Sequence, residues 1–448
     1  MEERMISMSS LKKEIGLFGG ISILAGIMIG SGIFVFGSLV LVQVGYAIGL
    51  SLLAWLIGGI ITLFSGLTYA ELGTMFPETG GYYVYLKKAY GSKVAFLSGI
   101  TSFVLSSSGS IALLALVFAE ILSYVVPISG YIKLIAAGLI ILLSLINYFG
   151  VKAGAVVQKV FLVAKIIPIF AIIFIGLFMG TESVNLTFTP VGDVSFLKIL
   201  SMVGFGVVAT LWAYEGWTNL NTVAGEMKNV KRDLPRALII SISAVTIIYV
   251  LFIFALYRII PYAGLLASDA SSNFTIGAMM TLFGETGMLV VFIAVMISIF
   301  GALNGSVMVF PRVYYAMAND KTFFKSFSKL DKKYNTPFVS IIGSGLMAII
   351  LLIFNIRELL TFVVFGGLIF NTLIFYSVFM FRKKNPELER PYKVWGYPYV
   401  PAIAIIGMIG LLIATLIESL VPSLIGFAVL IVGYFVYDIV FKVKKTKV

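Results

Sequence analysis

Long apolar runs recur from one end of this chain to the other, and no other property limits its folding as tightly. Leu134 to Tyr148, Phe161 to Met179 and Ile239 to Leu256 are three of them. In helical form about 20 such residues span the hydrocarbon core of a bilayer. Backbone polar groups find no water there, so only helices or closed barrels can cross. Barrel strands would alternate apolar and polar residues in segments of about ten, whereas these runs are apolar on nearly every face. The chain therefore reads as an all-α, polytopic membrane protein. A mean hydropathy of +1.07, with 60% hydrophobic and 12% charged residues, agrees.

Twelve transmembrane helices are expected. They fall near 16–41, 48–70, 94–125, 132–149, 156–180, 198–224, 236–258, 285–315, 337–354, 358–381, 397–418 and 422–441. The first apolar run lacks a small-residue cleavage site after it, so no removable signal peptide is expected. The net charge of +12 raises nucleic-acid binding as a reading, but the basic residues sit in short loops and no soluble domain presents them as a face. Lys and Arg instead report orientation, because they crowd cytoplasmic loops. Of the 32, 27 fall on the N-terminal side of the alternation and only Lys133, Lys198, Arg258 and Arg357 on the other. Both termini are thus expected in the cytoplasm, with the protein multi-pass in the cytoplasmic (inner or plasma) membrane. There is no Cys and no His. Thiolate chemistry, disulfides and the commonest metal ligand are absent, and neither a cofactor nor a metal is expected.

Two of the spans carry signs of being broken. The first contains Gly26-Ile27-Met28-Ile29-Gly30-Ser31-Gly32-Ile33-Phe34. Glycine is a poor helix former, and a helix loses its hydrogen bonds inside a membrane only where it lines a cavity or is buried in protein. The same glycines include a GxxxG pair, Gly26 and Gly30, which would serve close helix packing, and the residues alone leave both readings open. The sixth span carries Trp212-Ala213-Tyr214-Glu215-Gly216-Trp217-Thr218-Asn219. An acid at mid-membrane costs several kcal/mol unless paired or solvated, so Glu215 is a candidate for function, with a purely structural hydrogen bond as the alternative. Spans one and six are corresponding members of two five-span halves, the arrangement of inverted-repeat carriers, whose substrates sit at the midplane between discontinuous helices. Helix N-termini there face an anionic group and exposed carbonyls a cationic one. A free amino acid has both. Ser31 and Gly32 can donate to a carboxylate, and carbonyls near Met28 and Trp212 can receive an ammonium.

These segments, with Phe76-Pro77-Glu78-Thr79-Gly80-Gly81-Tyr82, Glu226-Met227-Lys228-Asn229-Val230-Lys231-Arg232-Asp233-Leu234-Pro235 and Phe300-Gly301-Ala302-Leu303-Asn304-Gly305-Ser306, resemble the amino acid, polyamine and organocation superfamily. Within it the chain looks like a bacterial relative of the L-type amino acid transporters, of the alanine/serine/cysteine or serine/threonine exchanger type, over roughly the first 340 residues. The resemblance implies a leucine-transporter-type fold with a 5+5 inverted repeat, residues 1–180 forming the first repeat, 198–381 the second and 397–448 two extra helices and a tail. It implies sodium-independent transport, by exchange and alternating access, of small neutral L-amino acids. Gly30, Ser31 and Gly32 would bind the substrate carboxylate, and the carbonyls of Met28, Trp212 and Glu215 its amine. Trp212 would close over the site, and its bulk argues for small substrates such as alanine or serine. Eukaryotic members pair with a glycoprotein through a disulfide, which a chain without cysteine cannot make, so no heavy subunit is expected.

Lys165 lies within the fifth span, too deep to ignore although a long lysine can snorkel to the interface. In the resembled family a lysine here reaches the first and eighth spans, where sodium-coupled members hold an ion. Its ammonium is expected to replace that ion, bridging carbonyls near Gly26 and groups near Ser306. Glu71, at the end of span two, is expected to face a loop. An enzyme would need a nucleophile with a base or a paired-acid site, and a channel would need charged rings or filter loops; neither pattern is found. A proton-coupled symporter or a polyamine carrier on the same fold remains the alternative, because of Glu215.

Overall fold

The computed structural model describes residues 11–269 and 273–442. A first helix α1 (Leu17–Met28) is followed by α2 (Gly32–Gln43), α3 (Ile48–Met75), α4 (Tyr82–Tyr90) and α5 (Ser92–Thr101). A π-helical turn, Ser102–Ser106, joins α5 to α6 (Ser107–Val125), and α7 (Ile132–Tyr148) and α8 (Val151–Met179) complete the first half. Then come α9 (Phe196–Ala213), α10 (Asn219–Thr222), α11 (Val230–Ile259), α12 (Tyr262–Leu266), α13 (Phe274–Val309) and α14 (Pro311–Asn319). The chain ends with α15 (Phe338–Leu351), α16 (Ile356–Lys384), α17 (Tyr399–Glu418) and α18 (Leu420–Val436). Apart from an isolated bridge between Ile15 and Met227, no β pairing occurs among the described residues.

Among these residues nine helices are long and apolar enough to cross a membrane, and α1 with α2 forms a tenth span bent by 49°. The other two expected spans, four and nine, correspond to α7 and α15, which are apolar but shorter. The count of twelve therefore rests on those two. Span eight is expected from residue 285, and α13 does begin earlier, at Phe274, with a kink at Gly284 (φ 58°, ψ −145°) that separates the added stretch.

Small residues set how closely the helices approach, while large side chains such as Trp55, Phe34 and Tyr249 fill the core between them. Along α3, a Cβ on Gly58 would lie 2.0 Å from Thr210 Oγ1, one on Gly59 2.3 Å from Thr246 Cγ2, and one on Gly66 2.5 Å from Ile242 Cδ1. The missing side chains let α3 lie directly on α9 and α11. In turn α11 packs along α1 and α8, at the centre of the bundle. Other large apolar side chains point outward, among them Phe178, Leu197, Ile406 and Ile417.

The basic loops gather at one end. Lys87 pairs with Asp320 at 2.6 Å, Lys231 with Glu389 at 2.7 Å, and the Arg382 guanidinium with both oxygens of Glu71, at 2.9 and 2.6 Å. Glu71 is buried and also accepts from the Val394 N–H at 2.8 Å, so it fastens the α16–α17 loop as expected of a loop-facing acid. The tails 1–10 and 443–448, and with them the outer ends of the expected segments 1–180 and 397–448, lie outside the described residues.

Candidate functional site

Helix α1 stops at Met28. Ile29 leaves helical geometry (φ −77°, ψ 81°), and the chain becomes helical again only at Gly32. Helix α9 stops at Ala213, and Gly216 takes a left-handed φ of +114° before α10 begins at Asn219. The two breaks touch. A Cβ on Gly32 would lie 2.8 Å from Ala213 Cα, and one on Gly216 2.9 Å from Ile27 Cγ2. Only glycine permits this approach, and at Gly216 only glycine takes the backbone angle without strain. One hydroxyl ties the pair: Tyr249, on α11, donates to the carbonyls of Met28 at 3.0 Å and Ala213 at 3.3 Å.

Beside the junction is a cavity of about 210 Å³ lined by Gly30, Ser31, Gly32, Trp212, Glu215 and Ser306. The first N–H groups of α2 have no carbonyl partner within their helix and carry the positive end of its dipole. They open at the wall formed by Ser31 and Gly32, where an anionic group would be bound. Glu215 is half-buried and takes part in none of the ion pairs seen among the described residues.

Behind the break, Lys165 is completely buried. Its Nζ donates to the carbonyls of Gly26 at 2.8 Å, Ile29 at 2.6 Å and Ser298 at 2.8 Å. The Ser298 hydroxyl sits within 2.9 Å of both the Ile29 and the Gly30 carbonyls. Carbonyls that α1 leaves unpaired on unwinding are thus met by one ammonium and one hydroxyl. Three carbonyls, two from α1 and its break and one from α13, converge on a single buried Nζ.

A profile of the amino acid permease family matches residues 15–437. The chain belongs to the amino acid permease family. It is 37% identical over 436 residues to the serine/threonine exchanger SteT of Bacillus subtilis (strain 168), covering 95% of this chain and 97% of that one. It is 33% identical to b(0,+)-type amino acid transporter 1 of Mus musculus, over 92% of this chain and 84% of that one. Identity to the large neutral amino acids transporter small subunit 2 of Mus musculus is 31%, over 96% and 81% of the two chains. The match therefore extends well beyond the 340 residues in which the resemblance is legible by motif.

Of the residues singled out in the sequence, the permease brings Met28, Gly30, Ser31, Gly32, Trp212, Glu215 and Ser306 to one cavity. Gly26 and Lys165 stand behind it. Two expectations change. The Met28 carbonyl already accepts from the Gly30 N–H at 2.9 Å and from Tyr249, so it has little capacity left for an amine. The carbonyl of Trp212 accepts from the Glu215 N–H at 3.2 Å and is also faced by the Tyr214 N–H, which it shares with the Thr210 carbonyl. Lys165 meets α13 at Ser298, two turns before Ser306, whose hydroxyl is turned back to the Ala302 carbonyl at 3.0 Å.

Other groups had no role assigned from the sequence. Tyr249 and Ser298 are ordinary residues in apolar helices, and no motif surrounds them. Towards the basic end, Arg312 and Glu226 form a fully buried pair at 2.9 Å, with Arg312 also bonded to the Met308 carbonyl. The Glu226 carbonyl accepts from the N–H groups of Glu14 and Ile15, each at 3.0 Å, which draws the segment before α1 across this end of the bundle.

Proposed function

We propose that this permease is a sodium-independent exchanger of small neutral L-amino acids, alanine and serine among them, working by alternating access in the cytoplasmic membrane with both termini inside. The observation that carries the proposal is the Lys165 ammonium among the Gly26, Ile29 and Ser298 carbonyls, which fills the place of a coupling ion. Family membership and relatives named as exchangers and amino acid transporters support a carrier over an enzyme. Residues 1–180 and 198–381 form the two inverted halves, and 397–448 the added helices and tail. The α2 N-terminus, through Gly30, Ser31 and Gly32, receives the substrate carboxylate. The carbonyls of Trp212 and Glu215 take the amine, and the Trp212 ring closes the cavity. With no cysteine to form a disulfide, the chain works without a linked heavy subunit.

Uptake of labelled alanine into proteoliposomes, preloaded or empty, with sodium or choline outside, tests the reading. Preloading is expected to accelerate uptake and sodium to leave it unchanged; a large loss of flux in choline overturns it. One observation favours a second reading. Glu215 lines the cavity without a cationic partner among the described residues, as a proton carrier would. Uptake into empty vesicles driven by a pH gradient would establish symport in place of exchange.

A further inference from the structure

The breaks in α1–α2 and α9 offer main-chain groups, and these can recognise only what all amino acids share, a carboxylate and an amine. The bulk of Trp212 can limit the size of a side chain, but choosing by its hydroxyl needs polar side chains elsewhere in the cavity wall. They come from the junction of α5 and α6, where the helix passes through the π turn Ser102–Ser106 and lines the cavity with Ser102, Ser106, Ser107 and Ser110. A π turn is an uncommon and costly departure that concentrates at functional sites.

Its effect here follows from the register. In an α-helix Ser102 would stand below Ser106, whereas the i to i+5 spacing of a π turn brings it below Ser107. The two hydroxyls are 2.6 Å apart, and the Tyr82 hydroxyl closes the group by donating to Ser102 at 2.5 Å. Those hydroxyls are occupied with one another. Ser106 and Ser110, four residues apart across the return to α geometry, are half-buried, line the cavity and have no hydrogen-bond partner among the described residues. The turn is braced from behind by α16. A Cβ on Gly366 would lie 3.1 Å from Thr101 Cγ2 and 3.2 Å from Ser106 Cβ, so the helix backs onto the turn only because that position has no side chain.

We infer that Ser106 and Ser110 form the side-chain subsite of this carrier and select hydroxyl-bearing amino acids over apolar ones of the same shape. The inference rests on the amino acid exchange proposed above and adds the residues that choose the substrate. A pair of free hydroxyls can both donate to and accept from a substrate hydroxyl, and an apolar isostere leaves them unpaired in a desolvated cavity. A site built to bond a hydroxyl rejects the analogue lacking it more strongly than an apolar pocket rejects an added one.

Threonine and valine differ by that exchange and little else. In proteoliposomes the parent is expected to take up threonine in preference to valine. Ser106→Ala and Ser110→Ala are each expected to lower the ratio of their kcat/KM values by roughly three- to tenfold, the worth of one hydrogen bond, with valine uptake retained or improved. An unchanged ratio in the double variant, with transport intact, overturns the subsite alone. Failure of the parent to exchange any amino acid overturns the carrier reading with it. Because the chain has no cysteine, Ser110→Cys supplies a single thiol whose modification can be timed even if the alanine variants are poorly produced. Saturating threonine is expected to slow that modification severalfold, and no slowing counts against the subsite.

Discussion

Replacing Lys165 by methionine keeps most of the side-chain volume and removes the charge and all three of its hydrogen bonds, made at 2.8, 2.6 and 2.8 Å. The Ile29 carbonyl would keep the Ser298 hydroxyl, but the carbonyls of Gly26 and Ser298 would lose this donor in a buried place. Ser298 lies within α13, where its carbonyl keeps its helical partner, whereas the Gly30 N–H turns to Met28 and leaves the Gly26 carbonyl orphaned; one orphaned buried acceptor costs about 1–3 kcal/mol. Part of that is offset, because a buried ammonium itself carries a desolvation penalty of several kcal/mol. A net loss of about 1 kcal/mol for the conformation with α1 held against α8 and α13 shifts its population about fivefold relative to the alternative. Exchange of labelled alanine by Lys165→Met in proteoliposomes is accordingly expected to fall by about fivefold. Added sodium is not expected to restore it, since methionine fills the space. Exchange within twofold of the parent would refute the reasoning, because the three bonds would then have no part in the conformational cycle.

Gly32→Ala places a Cβ 2.8 Å from Ala213 Cα, a backbone atom that cannot rotate away. Overpacking of this kind costs about 1–3 kcal/mol, and uptake is expected to fall at least severalfold while the protein still elutes as a folded species; parental uptake would show that the breaks need not touch. Tyr249→Phe removes the hydroxyl shared by the Met28 and Ala213 carbonyls and is expected to lower the Tm and the exchange rate together, with a rate loss alone arguing against a structural tie. Asp331 lies in the α14–α15 loop, where the Tyr334 N–H first and then the Tyr148 hydroxyl hold its carboxyl below the usual carboxylate range. A depressed folded-state pKa contributes stability that is present above the unfolded value and lost as pH falls through the folded one. Asp331→Asn is therefore expected to lower the Tm at neutral pH, by a margin that shrinks as pH drops below the ordinary carboxylate range; a margin independent of pH would count against it.

Much of the site could be read from residue order. An acid among aromatics in the sixth span violates what a lipid-facing helix tolerates, whereas the glycines of the first span equally fit a packing face, and it is their place in the span corresponding to the sixth that points to a break. Lys165 was visible for the same reason as the acid. What completed these features was not. Ser298 and Tyr249 break no rule in an apolar helix, since a serine can bond its own turn and a tyrosine can reach a boundary, and only the fold shows that they serve carbonyls on another element. The π turn at Ser102–Ser106 is similarly hidden, because one inserted residue alters register without altering composition. Span boundaries were blurred where a kink falls between two apolar stretches, as at Gly284, whose left-handed φ no hydropathy pattern announces. The Met28 carbonyl is a further case: the sequence places it at the break but cannot reveal that Gly30 and Tyr249 already use it.

The charge behind the first break has an electrical consequence. A sodium ion carried inward with each substrate would gain about 2.3 kcal/mol per 100 mV of membrane potential, and a cotransporter can spend that on accumulation. The Lys165 ammonium is tethered to α8 and returns with it, so a full cycle trading one zwitterion for another moves no current. Voltage then has no purchase on the steady state. The inward level of any one amino acid is set only by the concentration ratios of those offered in return.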